Sequence, residues 1–258
     1  MPSIDYHIRN IKDNGITIIK NVLTNKQCEF YTKRANKIID DMIKNKKTKT
    51  FNKNCLWVPS PFRYDKCFFN LIHQSDLNKI FTKLIDKDYV LTNSSIINRK
   101  ITKSNNIKGE NMGDLWHTDS RYIGKKRLEK GFGYIAIWML EDFKKDNGCT
   151  QYIPKSHLKL EKPKRRKKYK FNLMTGKKGT VVIMDTGVWH RGGIPSDKSR
   201  MSIYSYYSPW FVKPYYDYPK IFEHRKYNFI DKKIKKLLHF NSTPPGINDD
   251  RIYTVKKI

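Results

Sequence analysis

The chain has 258 residues, with 53 lysines and arginines against 24 aspartates and glutamates, a formal net charge of +29 and an aromatic content of 13%. That length buries a sizeable core and that aromatic content is too high for a disordered basic tail, so the composition predicts a globular protein with an unusually basic surface. The longest apolar stretches, Ile16 to Ile19 and Tyr134 to Leu140, fall far short of the roughly 20 residues that cross a bilayer.

Residues 1–14 carry Asp5, Arg9, Lys12 and Asp13 with no apolar segment, which excludes the pattern of a secretory signal. A short β-branched run, Gly15 to Lys20, predicts a strand. Thr24 then caps a predicted helix to about Lys44, with Cys28, Tyr31, Ala35, Ile38 and Ile39 on one face. A lysine-rich loop and an irregular aromatic stretch from Trp57 to Tyr64 follow, then a helix over Ser75 to Asp86. From Tyr89 the texture changes to short strands rich in Val, Ile, Tyr and Trp: Val90 to Ile97, Tyr134 to Leu140, Thr150 to Ile153, Gly179 to Met184 and Arg200 to Tyr207. Their spacing suits a sandwich or barrel better than alternating βαβ units. A charged amphipathic helix is expected around Phe229 to Phe240.

Four cysteines, at 28, 55, 67 and 149, have no CxxC spacing and read as reduced thiols, so a cytoplasmic, intracellular protein is expected. The basic residues run densest at Lys162 to Lys170, with further stretches at Lys44 to Lys53 and Lys232 to Lys236. Scattered in this way they read first as the Lys-, Asn- and Ile-rich composition of an AT-rich coding sequence. A polyanion contact, nucleic acid included, is the less favoured reading.

Chemistry concentrates in the β-rich part. Leu115-Trp116-His117-Thr118-Asp119 contains H-x-D, Val188-Trp189-His190 follows a β-branched strand, and Arg200-Met201-Ser202 comes ten residues later. Two histidines and one carboxylate present one face to a ferrous ion and leave the opposite positions open. Residues two apart on a strand share a side, so His117 and Asp119 can reach one metal together. Arginine matches a carboxylate bidentately, which suits Arg200 to a carboxylate co-substrate. Each piece alone is common; their joint occurrence carries the weight.

With these motifs the sequence resembles the phytanoyl-CoA dioxygenase family of Fe(II)- and 2-oxoglutarate-dependent oxygenases. Gly15 to Leu23 resembles the family's first strand and helix entry, and Trp116 to Asp119 its W-H-x-D. Asp146 to His157 resembles its N-G-x-x-x-x-x-P-G-S-H turn, with Lys155 where the family has glycine. Gly179 to Ser208 resembles the stretch ending in W-H-x-G and the R-x-S strand, with Thr180 in place of the family's Asp.

The resemblance implies a mostly β protein with α: a double-stranded β-helix (jelly-roll, cupin-like) core with flanking N-terminal helices. It implies one oxygenase domain over 1–258, with a largely helical part at 1–88, the β-helix at 89–212 and a C-terminal extension at 213–258. It implies iron on His117, Asp119 and His190, and 2-oxoglutarate on Arg200, with Ser202 as hydrogen-bond partner and Trp138 as an aromatic beside it. His157 is implied to serve a structural turn. Asp119 favours hydroxylation, since a small residue replaces it in halogenating relatives. The implied reaction uses O2, releases succinate and CO2, and hydroxylates an aliphatic C–H of a small, acyl or lipid-like substrate. Alternatives are a non-catalytic relative that binds nucleic acid or a phosphorylated ligand, and an oxygenase acting on such a polyanion. Residues 100–108 and those after Ile153 are candidates for the cavity mouth and lid, and Trp57 to Tyr64 for substrate recognition.

Overall fold

Ser3 opens helix α1 (Ile4–Asn14) by accepting from the Tyr6 amide, and Gly15 closes it in the left-handed region at φ 85°. The amphipathic signal of α1 lies in Ile8 and Ile11, which its polar neighbours mask at sequence level; both are buried, as is His7. Strand β1 (Ile16–Ile19) follows, and then α2 (Asn25–Lys44). Thr24 and Gln27 form a full capping box at the start of α2, and the predicted face, Cys28, Tyr31, Ala35, Ile38 and Ile39, is the buried one. The stretch expected to be irregular contains a hairpin, β2 (Phe51–Asn52) with β3 (Cys55–Pro59), before a single helical turn at Pro61–Arg63. Short α3 (Phe69–Ile72) and α4 (Ser75–Leu84), the latter capped by Gln74, complete the helical part.

The structure, a computed structural model, describes residues 2–101, 112–120, 122–123, 126–127, 132–223 and 230–240. Its strands continue with β4 (Val90–Asn98), β5 (Tyr122–Ile123), β6 (Lys126–Arg127) and β7 (Tyr134–Met139). Next come β8 (Gln151–Tyr152), β9 (Asn172–Leu173), β10 (Val181–Asp185), β11 (His190–Arg191) and β12 (Met201–Ser208). Helices α5 (Tyr218–Glu223) and α6 (Lys232–Leu237) end the described chain; Phe229, expected at the start of the last helix, lies outside the described residues.

Seven strands form an antiparallel sheet in the order β1-β10-β7-β12-β4-β3-β2, and β11-β8-β9 form a smaller one. This is the jelly-roll core, and strand alternation divides it into layers. Ile135, Ile137 and Met139 of β7 join Val182 and Met184 of β10 in the space shared with Met174, Val188 and Tyr152 on the small-sheet side. Ala136, Trp138, Val181, Ile183, Met201 and Ile203 face the other way, onto Tyr31, Ala35, Ile38, Leu77 and Phe81 of the helices. Each fully buried Val or Ile here contributes about 1.5–3 kcal/mol. The small-sheet side, not the helix side, carries the predicted ligands His117 and His190.

Gly15 ties these layers together. Its carbonyl accepts from the Asp185 amide, and a Cβ on it would lie 2.4 Å from Val188 Cγ2 and 2.7 Å from His157 Nδ1. His157 in turn bonds the Lys12 carbonyl through Nε2 at 2.9 Å, so this histidine fastens the end of α1 to the turn at 154–157. Lys155 sits there at φ 62°, in the left-handed region, which explains glycine in the resembling motif; lysine costs about 1–2 kcal/mol at such a position. The Gly15→Ala variant combines a left-handed backbone with a steric clash and is expected to lose about 2–4 kcal/mol of stability, read as a lowered midpoint in chemical denaturation.

Candidate metal and dicarboxylate site

Asp185 shapes the turn that delivers the third predicted ligand. Its carboxylate accepts from the Gly187 amide at 2.6 Å and its carbonyl from the Val188 amide at 3.0 Å, after which Trp189 and His190 enter β11. His117 then pairs with His190 in an isolated antiparallel bridge, each amide donating to the other's carbonyl at 3.0 Å. In such a reciprocally bonded pair both side chains leave on the same side, and the two imidazole centroids lie 4.3 Å apart. The Thr186 carbonyl accepts from the amides of Asp119 and Ser120, both at 3.0 Å, which turns the Asp119 carboxylate toward the same point.

His190 Nε2 lies 3.3 Å from Asp119 Oδ2, and His117 Nε2 lies 4.0 Å from Asp119 Oδ1. One ligand atom from each of the three residues falls within 4.8 Å of the others. His117 Nδ1 is 2.8 Å from the Leu115 carbonyl and His190 Nδ1 is 2.9 Å from the Val188 carbonyl. A carbonyl only accepts, so both Nδ1 atoms carry the proton and both Nε2 lone pairs face the common centre. Burial, then the neighbouring His190, holds His117 below the ordinary imidazole range, which favours the neutral ligand form. Burial also acts to lower His190, but Asp119 outweighs it by charge and hydrogen bond and raises the pKa; Asp119 is lowered in return, burial notwithstanding. The proton that Asp119 draws onto His190 stands where a cation would sit.

Beside this cluster lies a cavity of about 180 Å³. His117, His190, Arg200, Thr150 and Tyr204 line it, together with Asn52, Cys55 and Trp57 of the β2–β3 hairpin and with Ile97 and Arg99. Arg200 is 2% exposed, its guanidinium lies over the Phe143 ring at 4.3 Å, and its Nε and Nη1 have no hydrogen-bond partner. A buried, charged donor left unmade costs about 1–3 kcal/mol or more, so this guanidinium has donors that an anion could satisfy. Arg99 is equally buried but satisfied: it pairs with Asp114 at 2.6 Å and donates from Nε to the Gly193 carbonyl at 2.8 Å. Gly192 permits that approach, because a Cβ there would lie 2.5 Å from Arg99 Cζ. Burial pushes the Cys55 thiol up to about 11, which keeps it protonated and a poor competitor for metal.

The remaining predicted residues fall elsewhere. Ser202 shares the inner face with Arg200 and Tyr204, but its hydroxyl donates to the Ile97 carbonyl at 2.9 Å inside the sheet, and it does not line the cavity. Trp138 corrects the expectation of an aromatic beside the co-substrate. It lies on the helix-side face of β7, within the helix-packed core, because alternation sends Ile137 and Met139 inward instead. Tyr204, Thr150, Arg99 and Asp114 were not foreseen. Tyr204 was within reach, four residues beyond Arg200 on one strand; the other three come from sequence-distant loops.

The basic run at 162–170 lies beside the ligands. Trp116 and Trp189 precede the two histidines and point to the opposite side, where the Tyr169 ring meets them edge-on at 5.6 and 5.5 Å. The Trp116 amide donates to the Arg165 carbonyl at 3.2 Å. Of the loop at 100–108, only Lys100 and Ile101 are among the described residues. No helix among the described residues is long and apolar enough to cross a membrane. All four cysteines are free thiols.

No curated protein sequence matches the chain. Solved structures do. The non-heme α-ketoglutarate-dependent carbocyclase SnoK of nogalamycin biosynthesis aligns over 79% of this chain and 83% of its own, at 15% identity and a TM-score of 0.59. The epimerase SnoN, in complex with Fe3+, α-ketoglutarate and nogalamycin RO, aligns over 82% and 86%, at 12% identity and a TM-score of 0.61. HygX from Streptomyces hygroscopicus, with nickel and 2-oxoglutarate bound, aligns over 82% and 89%, at 12% identity and a TM-score of 0.61. At these identities the likeness establishes the shared fold. The family model for phytanoyl-CoA dioxygenase (PhyH) matches residues 11–202, most of the chain, and the protein belongs to the phytanoyl-CoA dioxygenase family, with the fold of the Fe/2-oxoglutarate-dependent oxygenases.

Proposed function

We propose that this protein is an Fe(II)- and 2-oxoglutarate-dependent dioxygenase that hydroxylates an aliphatic C–H of a small or lipid-like substrate, or of the small part of a larger one that reaches the cavity. One observation carries the reading: a two-histidine, one-carboxylate cluster and an unpartnered, buried arginine border a single cavity. The donor set fits a ferrous ion, since two neutral imidazoles and a carboxylate leave further positions open. The Arg200 guanidinium fits the far carboxylate of a dicarboxylic acid. When bound, iron, 2-oxoglutarate and O2 supply the oxidising chemistry, with release of succinate and CO2.

The chain's own residues bind, orient and exclude water. His117, Asp119 and His190 would hold the metal, and the Leu115 and Val188 carbonyls fix both imidazoles in the ligating tautomer. Arg200 would anchor the dicarboxylate against Phe143, and the Thr150 and Tyr204 hydroxyls, 3.2 Å apart, stand on the same wall to bond it. Trp57 and Ile97 give the cavity lining an apolar surface suited to a C–H-bearing group. The presence of Asp119 supports hydroxylation over a reaction that needs a vacant ligand position. Carbocyclisation and epimerisation, the activities of SnoK and SnoN, make the product itself the deciding measurement.

Succinate formation from 2-oxoglutarate is expected to require Fe(II) and to fall at least about a hundredfold in His117→Ala, with a hydroxylated product detected by mass across a metabolite panel. Absence of Fe(II) binding by the unaltered chain overturns the reading. Arg200→Lys keeps the charge and loses the fork, so it is expected to raise KM for 2-oxoglutarate about tenfold to a hundredfold in initial-rate kinetics. Ser202→Ala is expected to leave that KM within about twofold and to lower stability by about 1 kcal/mol, because its hydroxyl serves the sheet. A large KM change in Ser202→Ala would place the hydroxyl on the co-substrate instead.

A further inference from the structure

The basic loop at 162–170 combines three features that composition alone does not produce. First, Lys164, Arg165, Arg166, Lys167, Lys168 and Lys170 are exposed, and none has a carboxylate partner among the described residues; Glu161 is the sole acid between Lys159 and Lys170. Elsewhere, exposed lysines such as Lys144, Lys177 and Lys198 do find carboxylates. Second, the array is held in place. The Lys164 amide donates to the Tyr169 hydroxyl at 3.0 Å and the Lys167 amide to the Lys164 carbonyl at 3.1 Å. Tyr169 is clamped between Trp116 and Trp189, and Lys159 lies over Trp189 at 5.0 Å. Third, the clamp is built from the residues adjacent to His117 and His190, so the cations lie beside the metal cluster.

Two further lysines are chain neighbours of cavity-lining residues. Lys53, exposed, sits at the β2–β3 hairpin tip between Asn52, which lines the cavity, and Asn54, which bonds Asp114 at 2.7 Å. Lys100, also exposed, follows Arg99 of the cavity wall. The cavity itself, at about 180 Å³, is below the roughly 300–1,000 Å³ that enclose drug-sized ligands, so a substrate beyond the co-substrate must be gripped largely outside it.

We propose that the 162–170 loop is a docking site for single-stranded nucleic acid, which lays its phosphates along the loop and brings one unit to the cavity mouth. The docking stands on the loop alone; presentation of that unit for oxidation rests on the function proposed above. Six cations within seven positions exceed what one phosphate group engages, and they suit a chain of regularly spaced charges. Between Leu160 and Tyr169 the loop exposes no apolar side chain to enter a bilayer. Half-buried Trp57 on the cavity wall supplies a stacking surface for a base.

The test is fluorescence anisotropy of the full chain with a short, labelled, mixed-sequence single-stranded oligonucleotide across a salt series. Inorganic phosphate serves as competitor and phosphatidylserine vesicles as the membrane probe. Two variants of equal charge are compared: Lys164, Arg165, Arg166, Lys167 and Lys168 all changed to Gln, and Lys12, Lys26, Lys33, Lys37 and Lys44 of α1 and α2 all changed to Gln. The loop variant is expected to lose at least about tenfold in affinity at low salt, with its log–log salt slope reduced by about 3, while the helix variant binds as the parent does. Equal losses in both variants, displacement by phosphate at equal charge concentration, or tighter binding to vesicles each overturns the proposal. Arg165→Gln alone, expected to lower the slope by about 0.7, decides the matter if melting reveals that the multiple variant is unfolded. Binding needs neither iron nor 2-oxoglutarate, so failed anisotropy with intact succinate formation removes the docking site only, and the converse removes only the oxygenase.

Discussion

The reciprocal backbone bonds between His117 and His190 fix both sides of the polypeptide at once. They set the two imidazoles 4.3 Å apart on the inner side, and by alternation they set Trp116 and Trp189 together on the outer side. The inner pair, joined by Asp119 through the Thr186 carbonyl, makes the cluster that could hold a metal. The outer pair makes the seat for Tyr169 and hence for the basic loop. One register therefore positions both the candidate metal-binding side chains and the aromatic seat of the basic loop, and a slip of one residue would exchange them.

Support for that register comes from a distance. Gly15, at the junction of α1 and β1, takes the Asp185 amide and leaves no room between itself and Val188 or His157. Asp185 then shapes the turn into His190, and Ser156, in the same turn as His157, accepts from the Trp189 amide at 2.8 Å. The helical layer and the ligand strand are thus coupled through short, directional backbone contacts. Arg200 depends on a different support, the aromatic face of Phe143, which holds a charge in the interior without satisfying its donors. A neutral core would gain from replacing such a group; its presence beside the ligands is what gives the cavity its polarity.

The net charge of +29 acquires a location through this arrangement. Part of the excess decorates the outer faces of α1 and α2, where single lysines are ordinary solvated groups. The 164–170 segment differs in being anchored by aromatic rings, and its cations have no carboxylate partner among the described residues. Its anchoring side chain, Tyr169, sits against the residues next to His117 and His190.

The sequence by itself determined a strand-rich sandwich or barrel, which the family resemblance narrowed to a jelly roll, the capped helix behind Thr24 and five of the seven strands of the large sheet, and it singled out His117, Asp119, His190 and Arg200 as candidates for one site. Those features are written in local periodicity, caps and motif spacing, each of which depends on neighbours within a few positions. Helix α1 escaped because its two buried isoleucines sit among polar residues, and β3 because Trp57 and Pro59 read as irregular. Only the tertiary structure decided the rest. Trp138 faces the helices because of its parity on β7, Ser202 spends its hydroxyl on Ile97, and Arg99, held by Asp114, meets Thr150 at the cavity from a segment far off in the chain. Which face a strand residue takes, and what a hydroxyl or guanidinium finds there, is fixed by register between distant segments, and no single segment of sequence carries that information.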